Sequence, residues 1–310
     1  MTNATKTLAI IFVALAVITA AVEMSSGPAA SQAFKSKLVS VDTSRVNKIT
    51  IDKPEGSPIK LLKSNNKWMV SRLSGEQFPA SPNNIRRALR QLNELKVNSV
   101  ATRNPEKYTR YKVDSTGTKV TLYDGDKVLS SLIIGAPQIV SRREFNNYVR
   151  RPKDETVYSV EGFLGPTFSG KLNDWRDKTV WDFKRSDISR VDFIYPADSS
   201  YSITRAGSDH WISDGDTLST NEVNNLLRKL SSLRVDGFAD SLSVDAFGTE
   251  QYALDLQLSG GEQHRLRFKI LPSDSTDYVG VAEGFPYVFT LNKNSWDRGV
   301  LKSRNELLKK

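Results

Sequence analysis

One helix is written twice in this chain. Residues Ala88 to Val97 read ALRQLNELKV, and Leu226 to Val235 read LLRKLSSLRV. In the first, Ile85, Ala88, Leu89, Leu92 and Leu95 recur at three- and four-residue spacing. Val223, Leu226, Leu227, Leu230 and Leu233 repeat the pattern at a constant offset. Such a stripe marks an amphipathic helix with one buried face. Ser81-Pro82 supplies an N-cap and a first-turn proline, and Ser219-Thr220 does similar work in the second copy. A helix with one apolar face has to cover an apolar surface, and each copy has a group of strands beside it in sequence.

Those strands are also written twice. RVNKITIDKPEGSPIKLLKSNNKWMVS (Arg45 to Ser71) and RVDFIYPADSSYSITRAGSDHWISD (Arg190 to Asp214) alternate β-branched with polar residues between turn residues, and each ends on a tryptophan-bearing strand, Trp68 or Trp211. After the helix, Lys119 to Lys127 matches Asp255 to Gln263, with hairpin turns expected at Asp124-Gly125 and Gly260-Gly261. Strands at Ser130–Gly135, Tyr148–Arg150 and Val157–Val160 are echoed by His264–Leu271, Tyr278–Gly280 and Tyr287–Leu291. Residues Glu161 to Lys178 read as a short closing helix near Trp175 and Trp181, with Asn294 to Lys310 as its equivalent. The expectation is an α+β fold: two tandem duplicated modules, each a mainly antiparallel sheet packed with one amphipathic helix, following an N-terminal transmembrane helix.

That transmembrane expectation rests on Thr7 to Val22, sixteen uncharged residues between Lys6 and Glu23. They make about 24 Å of helix against a hydrocarbon core of about 30 Å, a gap that snorkelling of Lys6 or local thinning closes. An uncleaved signal anchor and a cleaved signal peptide both fit, with small residues around Ser31-Gln32-Ala33 some way beyond the apolar run. The anchor is the reading adopted, with residues 7–22 in the bilayer, the N-terminus cytoplasmic and the bulk of the chain periplasmic or otherwise extracytoplasmic. Ala16 and Ala20 form a small-xxx-small pair suited to packing on another membrane helix. The expected layout is residues 1–24 as anchor, 25–40 as linker, 41–182 as a basic first repeat and 183–310 as a second. There is no cysteine, so disulfides, thiolate metal sites and lipidation at cysteine are excluded.

Charge separates the copies. From Lys35 to Asp182 there are 27 Lys and Arg against 16 Asp and Glu; from Phe183 to Lys310 there are 16 against 18. Arg86, Arg87 and Arg90 crowd the first helix, while Arg142, Arg143, Arg150, Arg151 and Lys153 crowd a later strand and loop. These eight are the candidate patch for an anionic partner: lipid headgroups, an acidic glycan or an acidic protein surface. Nucleic acid is not expected, since the placement is extracytoplasmic and no nucleic-acid-binding module accompanies the charge.

No catalytic, cofactor-binding or metal-ligating residues can be nominated. The two histidines, His210 and His264, lie apart and at strand edges, away from any serine or carboxylate cluster. Ser213-Asp-Gly-Asp-Thr217 lacks the later ligands of a calcium loop and reads as a turn. Phosphate loops, nucleophile elbows and zincin motifs are absent. Tyr108, Tyr111, Tyr148, Trp175 and Trp181 are the aromatic candidates for stacking on sugar rings.

The order of these features resembles a known family. A tryptophan-ended strand pair precedes the proline-led leucine helix; the VTLYDGDK hairpin, Ile134-Gly135-Ala136, YVR followed by VYSV, and Trp175-Arg176-Asp177-Lys178 come after it. From about Arg45 to the C-terminus this is similar to the bacterial domain of unknown function 4340 family. Its members carry one N-terminal membrane segment and are often encoded beside ABC-transporter components like those of gliding motility. The resemblance implies an accessory subunit of a membrane complex and supplies no site residues. The expected function is therefore a non-enzymatic, membrane-anchored scaffold or binding subunit. The alternative is a module binding a cell-envelope glycan or anionic lipid, with a glycan-active enzyme as a third reading that needs a deep cleft lined by two carboxylates.

Overall fold

The computed structural model describes residues 38–141, 145–162, 164–271 and 274–309. The expected membrane segment with Ala16 and Ala20 lies outside the described residues, as do Arg142 and Arg143. Among the described residues no helix is long and apolar enough to cross a membrane. The chain divides into two compact units, one ending at Asp177 and the next starting at Lys178.

In the first unit, β1 (Lys48–Asp52), β2 (Ile59–Ser64), β3 (Lys67–Ser71) and β4 (Gln77–Pro79) form a meander that leads into α1 (Pro82–Asn93). Next come β5 (Val97–Thr102), β6 (Thr118–Asp124), β7 (Lys127–Ile139), β8 (Phe145–Arg150) and β9 (Val157–Glu161). All nine strands join one sheet in the order β4-β3-β2-β1-β6-β7-β8-β9-β5. Two meanders therefore meet at β1 and β6, where Ile49 faces Leu122 and Ile51 faces Val120 in antiparallel register. The connection from β4 to β5 must travel from one edge of the sheet to the other. Eight inter-strand steps of about 4.8 Å give a flat sheet about 38 Å wide. The 12-residue helix spans about 18 Å, and the five residues flanking it add at most about 18 Å more. A flat sheet would need the connection almost fully stretched, and a twisted sheet that curls round the helix relieves this. Accordingly Ile85, Ala88, Leu89 and Leu92 of α1 are buried, as are Ile49, Ile51, Leu61, Val70, Val120 and Leu122 from the strands.

The second unit starts with β10 (Thr179–Asp182) and continues through β11 (Ile188–Ile194), β12 (Tyr201–Arg205), β13 (Trp211–Ser213) and β14 (Asp216–Thr217) to α2 (Thr220–Ser231). Then follow β15 (Ser232–Arg234), β16 (Gly237–Phe238), β17 (Tyr252–Leu258), β18 (Gln263–Leu271), β19 (Asp274–Ala282), β20 (Phe285–Asn292) and α3 (Lys293–Gly299). Its large sheet runs β14-β13-β12-β11-β17-β18-β19-β20-β16, position for position the order of the first. β10 pairs with β15, so Thr179–Asp182 belongs with the second unit rather than closing the first. The register also differs from the alignment on Arg45 and Arg190. Ile49 pairs with Leu61 and Leu122, and Val191 pairs with Ile203 and Leu256, which makes Ile49 and Val191 equivalent, three residues away from that alignment.

Each unit closes in the same way. Helical turns at Gly165–Phe168 and Leu172–Trp175 follow β9, and one at Arg304–Leu307 follows α3, in place of the single closing helices expected. The Ser81 amide donates to the Trp175 carbonyl at 2.8 Å, and the Ser219 amide to the Leu307 carbonyl at 2.7 Å. The end of each unit is thereby tied to the N-cap of its long helix. Trp181 is buried, its indole N–H donating to the Leu230 carbonyl at the end of α2. The stripe residues Val223, Leu226, Leu227, Leu230 and Leu233 are all buried in one core with Val191, Phe193, Leu254 and Phe268.

A second, smaller core lies on the first sheet, where Val113, Ile133 and Val157 pack with Tyr111 and Tyr148. The loop can approach that closely because β7 has a glycine there: a Cβ on Gly135 would run into the Tyr111 carbonyl and the Val113 side chain. Gly135→Ala should destabilise the first unit by about 1–3 kcal/mol through this clash. Leu230→Ala should cost the second about 3 kcal/mol by leaving a cavity under α2. Urea unfolding of each variant measures both.

Candidate functional site

The first unit has a groove where α1 passes the β2–β3 hairpin. The hairpin turns at Asn65-Asn66, both with positive φ (47° and 61°), a conformation that asparagine tolerates better than most residues. This places Lys63 directly across from Trp68. α1 lays Arg86, Arg90 and Asn93 along the facing wall, over the buried side chains of Ile85 and Leu89, and the groove encloses about 540 Å³. Ser44 forms one end, held by Asp42, whose carboxylate accepts both its amide and its hydroxyl and is thereby kept below the usual carboxylate range. Arg86 donates to Asn83 on its own helix at 3.3 Å. The Lys63 ammonium and the Arg90 guanidinium make no hydrogen bond or ion pair among the described residues. Glu94 is the one carboxylate on the groove wall. Three cations beside a half-buried indole suit an anion; they offer no nucleophile with an adjacent base.

The second unit has the same place and fills it. Arg205 stands across from Trp211 as Lys63 does from Trp68. Its guanidinium lies 4.8 Å from the Trp211 ring centroid and donates to the carbonyls of Ile188 (2.9 Å), Ser208 (2.7 Å) and Arg185 (3.1 Å). Trp211, packed in the unit's main core with Arg205 over its ring, is only 3% exposed. A planar fork of donors can reach three carbonyls at once, which a single ammonium on a flexible stem cannot. The first unit therefore keeps an open groove with a lysine, and the second has an arginine plug.

The expected basic patch separates into parts with different work. Arg86, Arg87 and Arg90 are exposed on α1. Arg150, by contrast, lies 4.3 Å from the Tyr108 ring centroid and donates to the carbonyls of Val113, Arg151, Pro152 and Asp154. Arg151 donates from Nε and Nη2 to the Leu38 carbonyl, at 3.1 and 2.8 Å. Both guanidiniums grip backbone, which sequence could not reveal. Lys153 is exposed beside Arg103 on a separate shallow recess. Leu38 and Val39 are buried, and the Val41 amide donates to Asn93 Oδ1 at 3.1 Å, so residues 38–41 are fastened between Arg151 and the end of α1.

The aromatic candidates are mostly occupied. Trp175 is buried, and Tyr111 and Tyr148 pack against each other with centroids 4.5 Å apart and ring planes tilted by 60°. Trp68 was the aromatic to single out; the signal was its cross-strand neighbour, lysine where the second unit has arginine. His210 is exposed at the β12–β13 turn, while His264 packs against Phe183 and Trp181. Asp214-Gly215 is a tight hairpin turn with positive φ at both residues, its acidic flank paired with Arg304. Asp192 and Asp255 face each other across β11 and β17 on a shallow recess of about 200 Å³. Asp192 is gripped by Arg190 and Ser202, and Asp255 by Arg265. Burial raises the Asp255 carboxyl above its ordinary range, while the net shift of Asp192 is downward: burial opposes it, and the hydrogen bonds from Arg190 and Ser202 outweigh that opposition. Among the described residues no group of three or more His, Asp or Glu is placed to hold a metal ion.

With this geometry in place, comparison with known proteins gives one match. The family described as Domain of unknown function (DUF4340) matches residues 71–257, and the chain belongs to it. The match starts at the end of β3 and runs into β17, so it takes in parts of both units. No curated protein and no solved structure matches the chain.

Two substitutions separate the structural arginines from the surface ones. Arg150→Ala should lower unfolding stability by about 1–3 kcal/mol, since four carbonyls, three of them in part-buried bonds, lose their donor, whereas Arg86→Ala should stay within about 0.5 kcal/mol. Chemical denaturation compares them directly. Asp114, on the loop whose Val113 carbonyl Arg150 holds, accepts from Thr109 and from the hydroxyl and amide of Thr116, which bring its pKa down to about 2. A depressed carboxylate pKa adds stability that is complete above about pH 4 and is lost as pH falls towards 2. Asp114→Asn should flatten the acid limb of a stability–pH curve in that window and leave neutral pH behaviour independent of pH.

Proposed function

We propose that this member of the DUF4340 family is a non-enzymatic, single-pass subunit of the cell inner membrane, with its N-terminus cytoplasmic and both folded units extracytoplasmic. It serves as a scaffold or binding component of a membrane complex resembling an ABC transporter or motility assembly. Its two units descend from one duplicated module. The observation that carries this reading is the shared build. Both sheets have one strand order, both helices start at the same point of it, and both closing segments tie back to the helix N-cap. Repetition of a whole sheet-and-helix body multiplies surface rather than creating a single deep cleft, which suits a protein that holds others.

The fastening of residues 38–41 supports the anchored arrangement. Between Val22, the end of the apolar run, and Leu38 lie only 15 residues, a tether of at most about 50 Å fully extended. The first unit is then held near the bilayer. Its basic balance is then within reach of whatever anionic groups that face of the membrane carries.

Two experiments test this. Alkaline carbonate washing of membranes should leave the full chain in the pellet; release into the supernatant would remove the anchor. Affinity purification in mild detergent, after crosslinking in intact cells, should recover the same membrane proteins each time. Recovery of this chain alone, under conditions that preserve other membrane complexes, would remove the scaffold role. A second reading, a module for cell-envelope glycans or anionic lipid, is favoured by the open, cation-lined groove on the first unit.

A further inference from the structure

We propose that the groove between α1 and the β2–β3 hairpin binds an acidic saccharide, one ring stacked on Trp68 and its carboxylates held by Lys63, Arg86 and Arg90. This rests on the second reading above and names its site.

The second unit acts as a control within the same molecule. There the equivalent indole is sealed by the Arg205 plug, with three carbonyls satisfied and the ring 3% exposed. Filling is thus the arrangement that this fold reaches when nothing has to enter. The first unit departs from it at one cross-strand position. Lys63 leaves the indole half-buried and its own ammonium free among the described residues. The departure leaves a cation-lined opening where the second unit has a plug, and we read its use in what the opening admits.

The lining selects the ligand. Lys63, Arg86 and Arg90 against Glu94 call for net negative charge. Ser44, Asn66 and Asn93 offer hydroxyl and amide partners of the kind that sugar hydroxyls use. The apolar floor is already covered: Ile85 is 1% and Leu89 7% exposed, which leaves no socket for the aliphatic anchors of a peptide. What remains partly open is one indole, that of Trp68, an aromatic surface of the kind on which a sugar ring packs. At about 540 Å³ the groove is within the ordinary range of small-ligand sites.

The test is calorimetric titration of the purified full chain, in detergent, with trigalacturonate, with maltotriose as the neutral analogue and hexaglutamate as the acidic peptide. Trigalacturonate should bind saturably and at least tenfold more tightly than either. Trp68→Ala should weaken it at least tenfold, and Lys153→Ala should leave it within twofold. The decisive variant is Lys63→Arg, which keeps the charge and supplies the plug, and should also weaken binding at least tenfold. Should Trp68→Ala fail to fold, Lys63→Arg carries the test alone. Full affinity in Lys63→Arg overturns the groove as the site, as does tighter binding of hexaglutamate or equal binding of maltotriose. Saturable uptake that survives both substitutions keeps glycan binding and removes the groove; no uptake removes both.

Discussion

The architecture of each unit depends on one length constraint. A helix of 12 residues, α1 or α2, has to carry the chain between opposite edges of a nine-stranded antiparallel sheet. Flat strands would put those edges about as far apart as the whole connection can stretch. Curling the sheet round the helix meets the constraint and at the same time buries the helix's apolar stripe. Hydrophobic burial and chain connectivity therefore demand the same shape, and the bonds from Ser81 to Trp175 and from Ser219 to Leu307 lock the start of each helix in place. Every other feature, including the groove beside α1 and its plugged counterpart beside α2, is positioned by that wrap.

Much of this was legible in the residues. The stripes Ile85 to Leu92 and Val223 to Leu230 name the buried helix faces, Ser81 names a side-chain cap, and Asp214-Gly215 names a hairpin turn; Ser219 stands at the start of α2 without a side-chain capping bond, and Leu95 and Leu233 lie past the helix ends. Strand order was not legible, because alternation shows which face a residue takes but not which strand lies beside it. The same gap explains the misplaced alignment: the shared Arg-Val dipeptide at Arg45 and Arg190 outweighed a pairing register that only the folded sheet displays. Arg150 and Arg151 illustrate the limit for charge. Their guanidiniums hold the chain's own carbonyls, and in a sequence such an arginine looks the same as one facing solvent.

The groove was missed for a related reason. Trp68 and Trp211 end equivalent strands and invite the same expectation of burial. Their fates separate through Lys63 and Arg205, which are not adjacent to either tryptophan in the chain but lie directly across the hairpin. One difference in side-chain chemistry, a fork against a point charge, decides whether a cavity exists. The family match runs from residue 71 to 257, so the stretch it recognises omits Lys63 and Trp68 while including Arg205 and Trp211. The feature most particular to the first unit thus lies beyond the stretch that identifies the family.

The clamp on residues 38–41 has a mechanical consequence. Any pull on the chain from the N-terminal side arrives first at the Leu38 carbonyl, gripped by Arg151 beyond the end of β8, and then at the Val41 amide, gripped by Asn93 at the end of α1. The load passes into an inner region of the sheet and into the helix before it reaches β1, which starts at Lys48. Strands loaded at one end peel apart one bond at a time, whereas a body gripped at two interior points must yield as a whole. The first unit is in this sense built to be held by its stem.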